Sequence, residues 1–273
     1  MVVYYHEEVH KTLKKHSFAK SLLLWGFALT ILLAGPFTAL AASSSKPAEK
    51  MYFKNNQYYI FNNVWGADQV SGWWQTIYHN SDSDLGWVWN WPSTTSTVKA
   101  YPSIVSGWHW TEGYTKGSGF PTRLSDQKNI STNVSYSISA NGTYNAAYDI
   151  WLHNTNHASW DTAPTDEIMI WLNNTNAGPA GSYVETVSVG GHKWKVYKGY
   201  IDAGGGKGWN VYSFVRTSNT RSASLNIRDF TDYLADSKNW LSKTKYVSSV
   251  EFGTEVFGGT GQINISNWDV KVH

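Results

Sequence analysis

Two glutamates lie inside strongly strand-forming runs of a chain that has few acidic side chains. Glu167 opens the run 167–172, and Glu255 lies in the run 251–257. Beyond residue 41 the chain has only six glutamates, so their placement within such runs is informative. Two carboxyl groups across a cleft are the minimum set for hydrolysis of a glycosidic bond. One protonates the leaving oxygen, while the other attacks the anomeric carbon or activates water.

Each of these glutamates shares its strand face with side chains that could hold a sugar. Because side chains alternate along a strand, Glu167 lies on the face of Met169 and Trp171, and Glu255 lies on the face of Phe257. An aromatic ring in such a row can stack on a pyranose. A glutamate on a strand is also commonly a solvated surface residue, and periodicity alone leaves both interpretations open.

Asp149 is a third acidic residue within an apolar run, at 148–152. It shares its strand face with Trp151. Burying a carboxylate there is unfavourable unless the carboxylate is hydrogen-bonded. A neighbouring protonated carboxyl group would satisfy it.

Aromatic residues are the compositional excess of this chain. Its 273 residues include 16 Trp, 17 Tyr and 10 Phe, and no Cys. The lack of cysteine excludes a disulfide scaffold, a thiolate zinc site and a cysteine nucleophile. The lack of basic clusters argues against a nucleic-acid partner. Trp87, Trp89 and Trp91 share one strand face, where they either pack a core or line a groove.

Residues 1–41 have the pattern of a secretory signal peptide. Four lysines precede the apolar stretch 21–40, which ends in the small-residue pattern Ala39-Leu40-Ala41. A retained membrane anchor is the alternative, since the stretch could span a bilayer, but Pro36 and the exit pattern favour cleavage. Residues 42–273 carry 18 basic and 18 acidic side chains, so the mature chain is neutral. We expect a secreted, extracellular protein with no membrane attachment after cleavage.

The pattern along the rest of the chain predicts an all-β fold. Short runs rich in Val, Ile, Thr, Tyr and Trp are separated by Gly, Asn, Ser or Asp, as in an antiparallel sandwich or jelly roll. The pairs Asn141-Gly142 and Gly190-Gly191 predict hairpin turns, and only 228–241 has helical spacing. A polar lead-in, 42–50, precedes a single domain, 51–273. The predicted strands are 58–63, 87–91, 98–101, 133–139, 145–152, 166–172, 186–189, 193–200, 209–216, 222–227, 247–255 and 262–272.

Seven short segments form an ordered set of motifs across almost the whole mature chain. They are Asn-Asn-Val-Trp-Gly at 62–66, Trp-Asn-Trp at 89–91, Val-Lys-Ala-Tyr at 98–101, Ala-Tyr-Asp-Ile-Trp at 147–151, Asp-Glu-Ile-Met-Ile-Trp-Leu at 166–172, Asn-Val-Tyr-Ser-Phe-Val at 210–215 and Phe-Gly-Thr-Glu-Val-Phe-Gly at 252–258. The most specific pair is Glu-Ile-Met-Ile-Trp followed by Gly-Thr-Glu-x-Phe. In this order the segments resemble glycoside hydrolase family 12, the small secreted endo-β-1,4-glucanases.

The resemblance implies a β-jelly roll of two packed antiparallel sheets, with a concave substrate cleft and one short helix. It implies that Glu167 is the nucleophile, that Glu255 is the general acid/base, and that Asp149 supports the nucleophile through a hydrogen bond. Asn63 and Trp65 would line the subsites on the non-reducing side. The full set of substrate-binding residues that we expect is Asn63, Trp65, Trp89, Trp91, Met169, Trp171 and Phe257.

We therefore expect a retaining endo-β-1,4-glucanase that hydrolyses internal bonds of cellulose or related β-glucans by double displacement. We expect it to act as a monomer and to need no metal or cofactor. A xyloglucan-specific endoglucanase of the same fold is the alternative within this class. A non-catalytic glucan-binding jelly roll is the alternative outside it, and that protein would need the aromatic residues but not the paired glutamates.

Overall fold

A computed structural model of the chain describes residues 42–92 and 97–273. The predicted signal peptide, residues 1–41, lies outside this range. No helix within the described residues is long and apolar enough to cross a membrane. The predicted lead-in at 42–50 contains one short strand and the first residue of a second.

The described residues form fifteen β-strands and one short helical segment. The strands are β1 (Ala42–Ser44), β2 (Lys50–Phe53), β3 (Tyr58–Phe61), β4 (Trp74–Ser81), β5 (Asp84–Trp91), β6 (Ser103–Gly107), β7 (Thr122–Arg123), β8 (Ile130–His153), β9 (Asp166–Thr175), β10 (Ser182–Val189), β11 (His192–Gly204), β12 (Lys207–Arg216), β13 (Ser222–Asn226), β14 (Tyr246–Gly253) and β15 (Val256–Val272). The α-helix α1 (Ile227–Asp232) continues into a π-helical turn at Tyr233–Ser237, so the predicted helix at 228–241 is shorter than expected. Short 3-10 turns lie at Ala67–Gln69 and Leu124–Asp126.

The strand pairings form two layers that share β8. One layer has the order β1-β4-β5-β15-β8-β13, and the other has the order β2-β3-β6-β14-β8-β9-β12-β11-β10, with β7 beside β14. The first part of β8 pairs with β13 and β15, and its last part pairs with β9 and β14. All pairs are antiparallel except β9 with β12, which run parallel. The fold is the predicted jelly roll, with hydrogen bonding continuous between the layers because β8 runs through both.

The hydrophobic core fills the space between these two layers. Ile150 of β8 and Ile168 and Ile170 of β9 are fully buried in it, as the alternation along these strands predicts. The opposite face of the nine-strand layer carries the alternate residues of the same strands. We call that second surface the site face.

Trp89 and Trp91 lie in the core and not at a ligand surface, so their prediction as substrate-binding residues is wrong. Both are fully buried. Trp91 stacks on Trp73 with 4.6 Å between ring centroids and donates from Nε1 to Gln75 Oε1 at 3.1 Å. Alternation predicts correctly that the two tryptophans share a face. It does not distinguish a core face from a ligand-binding face, since both select large apolar side chains.

The Asn141-Gly142 pair does not form the predicted hairpin turn, because β8 continues through it on its way from one layer to the other. Gly142 has a φ of +117°, and a β-carbon on it would lie 2.3 Å from the carbonyl oxygen of Gly258. The glycine is therefore needed for close approach of two backbones. In contrast, Gly190-Gly191 joins β10 to β11 as predicted.

Strands β4 and β6 have no counterpart among the predicted strands, although β6 pairs with β14 in the nine-strand layer. The predicted strand at 98–101 is instead an extended segment, with one β-bridge between Ala100 and Val256 and further backbone hydrogen bonds to Asn63 and Gly66. Strands β1, β2 and β7 likewise have no predicted counterpart. The pattern of a run therefore indicates whether that run is extended. It does not indicate which strands it pairs with.

We expect Gly142→Ala to lower the free energy of unfolding by about 1–3 kcal/mol, because the new β-carbon meets a backbone oxygen and the conformation is strained for alanine. Gly178→Ala is the matched control, since its β-carbon would have no atom within 4 Å and its φ lies outside the left-handed range. Urea denaturation measures both variants. Equal loss of stability in the two would contradict the close approach at Gly142.

Candidate active site

Three acidic side chains project from neighbouring strands onto the site face. Asp149 of β8 is the cross-strand partner of both Glu251 of β14 and Met169 of β9, and Glu167 of β9 is the partner of Trp151. Directly paired residues project to the same side of a sheet, and so do residues two apart on one strand. The register therefore brings Asp149 and Glu167 together, as predicted, and adds Glu251.

Glu167 is nearly buried, and its neighbours act on its ionisation in opposite directions. It is 8% exposed, and its Oε2 accepts a hydrogen bond from Trp209 Nε1 at 2.6 Å. Burial raises the pKa of Glu167 to about 7, and the charge of Glu251 adds to this rise. Hydrogen bonds from Trp209 and Asp149 oppose it.

Asp149 lies beside Glu167, and its surroundings favour the protonated form of its carboxyl group. Burial and the charges of Glu167, Glu251 and Glu255 raise the pKa of Asp149 well above its usual range. The bond between the two carboxyl groups raises the pKa of Asp149 and lowers that of Glu167.

Glu255 lies in the short connection between β14 and β15, where Asn145 of β8 fixes it. Asn145 Nδ2 donates to Glu255 Oε2, and Asn145 Oδ1 accepts from the backbone N–H of Glu255 at 2.9 Å. Burial raises the pKa of Glu255 to about 8, the charge of Glu167 contributes to the rise, and the bond from Asn145 opposes it. Glu255 therefore holds its proton to a higher pH than Glu167 does.

Glu251 is completely buried on the site face, and both of its carboxyl oxygens have donors. His109 Nδ1 lies 2.7 Å from Oε1, and Ser103 Oγ donates to Oε2 at 3.0 Å. Alternation along β14 places Glu251 on the face of Glu255 but indicates no role for it. The run of residues around His109 contains no signal that it contacts a carboxyl group.

Met169 and Trp171 pack in a small apolar cluster that is separate from the main core and includes Ala147 of β8. Trp171 is only 1% exposed, so it contributes to the wall beside the carboxyl groups and has no open ring face. Phe257, two residues after Glu255, is 6% exposed. All three predicted residues are therefore near-buried lining of the site.

Asn63 and Trp65 lie in the segment that follows β3. Trp65 is 54% exposed, which leaves its ring free to stack on a ligand. The carbonyl of Asn63 accepts from the N–H of Tyr101 at 3.1 Å, and the Tyr101 hydroxyl donates to the carbonyl of Ala147 at 3.0 Å. A β-carbon at Gly253 would lie 2.7 Å from the Tyr101 ring, so this glycine makes room for the tyrosine. Tyr101 thus connects the Trp65 segment to the strands that carry the carboxyl groups.

Trp209 is held against Glu167 by other tryptophans. Its ring centroid lies 5.3 Å from that of Trp151 and 6.4 Å from that of Trp110, which in turn contacts Trp108 at 5.0 Å. Trp209 opens a correctly predicted strand. Its proximity to Glu167 depends on the parallel pairing of β12 with β9, for which the sequence pattern carries no signal.

The site therefore holds two carboxyl groups with raised pKa values, about 7 for Glu167 and about 8 for Glu255. Such a pair can supply a nucleophile or base together with an acid. Among residues 42–92 and 97–273, no group of three His, Cys, Asp or Glu side chains is placed to hold a metal ion.

Comparison with known proteins decides the family. Residues 56–273 match the family defined as Glycosyl hydrolase family 12. The chain belongs to this family. Membership confirms the family resemblance drawn from the motifs, and it identifies the chain as a glycoside hydrolase.

Three proteins are similar to this family 12 enzyme in sequence or structure. Endoglucanase S of Pectobacterium parmentieri is 64% identical over 241 residues, which cover 88% of this chain and 91% of that protein. Xyloglucan-specific endo-beta-1,4-glucanase A of Emericella nidulans is 30% identical over 78% of this chain and 84% of that protein. The solved structure of a native family 12 xyloglucanase from Bacillus licheniformis superposes with a TM-score of 0.84 at 89% identity, and covers 85% of this chain and 100% of that one.

We expect Trp209→Phe to move the acid limb of the kcat/KM pH profile of this family 12 enzyme to higher pH by about one unit. The indole hydrogen bond lowers the pKa of Glu167, so its loss raises that pKa. Trp194→Phe is the control, because it removes an indole bond to the carbonyl of Val189 within the core. That variant should lose stability without a shift of the limb. An unmoved acid limb in Trp209→Phe would contradict the role of the indole.

Proposed function

We propose that this chain is a retaining endo-β-1,4-glucanase in which Glu167 is the nucleophile, Glu255 the general acid/base and Asp149 the support of the nucleophile. The observation that carries the proposal is the placement of the two glutamates, with Trp209 Nε1 donating to Glu167 Oε2 at 2.6 Å and Asn145 Nδ2 donating to Glu255 Oε2. Burial raises the pKa of Glu167 to about 7 and that of Glu255 to about 8, which favours an ionised Glu167 beside a protonated Glu255. A retaining glycosidase needs this starting state.

In the first step, Glu255 donates its proton to the glycosidic oxygen as the bond from that oxygen to the anomeric carbon breaks. Glu167 attacks the same carbon from the opposite face and forms a glycosyl ester. Asp149 keeps its proton and continues to donate a hydrogen bond to the carboxyl group of Glu167. The leaving chain departs with a new hydroxyl group.

In the second step, Glu255 acts as a base. Esterification removes the negative charge of Glu167, which is one cause of the raised pKa of Glu255. The ionised Glu255 then takes a proton from water, whose oxygen attacks the anomeric carbon and releases Glu167 as a carboxylate. Two inversions at one carbon leave the β-configuration unchanged.

The substrate would be held by Asn63, Trp65, Met169, Trp171 and Phe257. Trp65 is the exposed member of this set, so its ring is suited to stack on a sugar. We propose that the enzyme acts outside the cell as a monomer, after removal of residues 1–41. The balance of 18 basic and 18 acidic residues in 42–273 suits an uncharged polymer and offers no electrostatic attraction for nucleic acid.

Xyloglucan is the favoured glucan among the alternatives. The supporting observation is the 89% identity to the Bacillus licheniformis protein described as a xyloglucanase, over the whole of that chain. Initial rates of reducing-sugar release from xyloglucan, mixed-linkage glucan and carboxymethyl cellulose test this preference, with xyloglucan expected to be fastest. A faster rate on an unbranched glucan would overturn the preference, although the retaining mechanism would stand.

We expect Glu167→Gln and Glu255→Gln each to lower kcat/KM by about 10³-fold or more while the protein remains folded. Glu185→Gln is the control, because Glu185 bonds Lys238 and Tyr233 and takes no part in the proposed chemistry. Near wild-type activity in either active-site variant would overturn its assigned role.

We expect proton NMR of the earliest product to show the β-anomer, because a double displacement retains the configuration of the bond that is cleaved. The spectrum is recorded within the first minutes, before mutarotation mixes the two anomers. Early appearance of the α-anomer would contradict retention and would indicate direct attack by water. The control is the same product sampled after full mutarotation.

A further inference from the structure

Glu251 is a buried carboxyl group that neither step of the proposed reaction uses. It is completely inaccessible to solvent, and it is paired directly with Asp149 on the neighbouring strand β8, on the same face of the sheet. A buried, charged side chain of this kind is unfavourable unless it is hydrogen-bonded. The position of Glu251 beside both Glu167 and Asp149 therefore requires an explanation.

Ionisable groups face Glu251 from every element packed around it. They are Lys50 on β2, Tyr59 on β3, Tyr101 before β6, His109 after β6, Asp149 on β8 and Glu167 on β9. Lys50 is the one lysine in this set, and its ammonium group lies over the rings of Tyr59 and Phe61 at 5.3 and 5.5 Å. The environment thus contains more acidic groups than cations.

The two facing carboxyl groups differ sharply in their hydrogen bonding. Glu251 receives His109 Nδ1 at 2.7 Å on one oxygen and Ser103 Oγ at 3.0 Å on the other. Asp149 Oδ1 has no hydrogen-bond partner within the described part of the chain. Donors favour the charged form of a carboxyl group, and two neighbouring carboxylates disfavour each other. The negative charge therefore resides on Glu251, and the proton resides on Asp149.

We propose that Glu251 is a positioning residue: held as an anion by His109 and Ser103, it keeps Asp149 protonated and so keeps Asp149 a hydrogen-bond donor to Glu167. The catalytic part of this inference rests on the proposed role of Glu167 as nucleophile. The protonation part does not, since it concerns only Glu251 and Asp149. An anion that does not contact the substrate would thus determine which carboxyl group of the site carries a proton.

Glu251→Gln tests the proposal, because glutamine preserves the shape of the side chain but removes its charge. We expect the acid limb of the kcat/KM pH profile to move to lower pH by about one unit, because the charge of Glu251 is among the causes that raise the pKa of Glu167. The alkaline limb should stay in place, because the charge of Glu251 is not among the causes that raise the pKa of Glu255. A uniform loss of activity with both limbs unmoved would overturn the proposal.

A direct titration separates this proposal from the proposed function. Carbon-13 NMR of labelled aspartate follows the carboxyl group of Asp149, assigned with Asp149→Asn, in wild type and in Glu251→Gln. A midpoint about one pH unit lower in Glu251→Gln supports the proposal even if Glu167 is not the nucleophile. An unchanged midpoint overturns it even if Glu167 is the nucleophile.

Two further variants control the experiment. Glu185→Gln removes a glutamate charge from an exposed pair with Lys238, and it should shift neither the titration nor the limb. Ser103→Ala serves if Glu251→Gln does not fold, because it removes one of the two donors that hold the Glu251 carboxylate. The acid limb should then move in the same direction by a smaller amount, and no movement would overturn the proposal.

Discussion

Mutual repulsion among closely placed carboxyl groups is the constraint on which the rest of the site depends. Asp149, Glu167 and Glu251 are buried on one sheet face, and the half-buried Glu255 follows β14. Their charges cannot all be present at once in such an environment without a large free-energy penalty. The surrounding hydrogen-bond donors determine which of them ionise. Trp209 and Asp149 donate to Glu167, and Asn145 donates to Glu255. The difference in protonation on which the proposed hydrolysis depends therefore reflects burial together with where the fold places its donors.

The jelly roll meets this constraint by using the same strands for core and site. Alternate residues of β9 bury Ile168 and Ile170 between the layers and direct Glu167 to the other face. Because the core packs tightly, it fixes the backbone positions of the residues that carry the carboxyl groups. The parallel pairing of β12 with β9 adds Trp209 beside Glu167, and the passage of β8 through both layers links the site to the far sheet.

Much of this arrangement could be predicted from the sequence, because strand alternation is a local property. It correctly separates Ile168 from Glu167 and places Asp149 on the site face. Contacts that depend on which strands become neighbours were not predictable from local patterns, as Trp209 and the His109–Glu251 pair illustrate. The error at Trp89 and Trp91 has a different origin, since apolar alternation is the same whether a face meets a core or a ligand. Gly142 likewise has the sequence of a turn but serves a close approach between backbones.

The most direct test of the account is a titration of Glu255 by carbon-13 NMR of labelled glutamate, in wild type and in Glu167→Gln. Assignment comes from the signal that disappears in Glu255→Gln. The account predicts a midpoint near pH 8 in wild type, because burial and the charge of Glu167 raise the pKa of Glu255 to about 8. It predicts a lower midpoint in Glu167→Gln, where that charge is absent. The same midpoint in both proteins would contradict the claim that the buried carboxyl groups set one another's protonation.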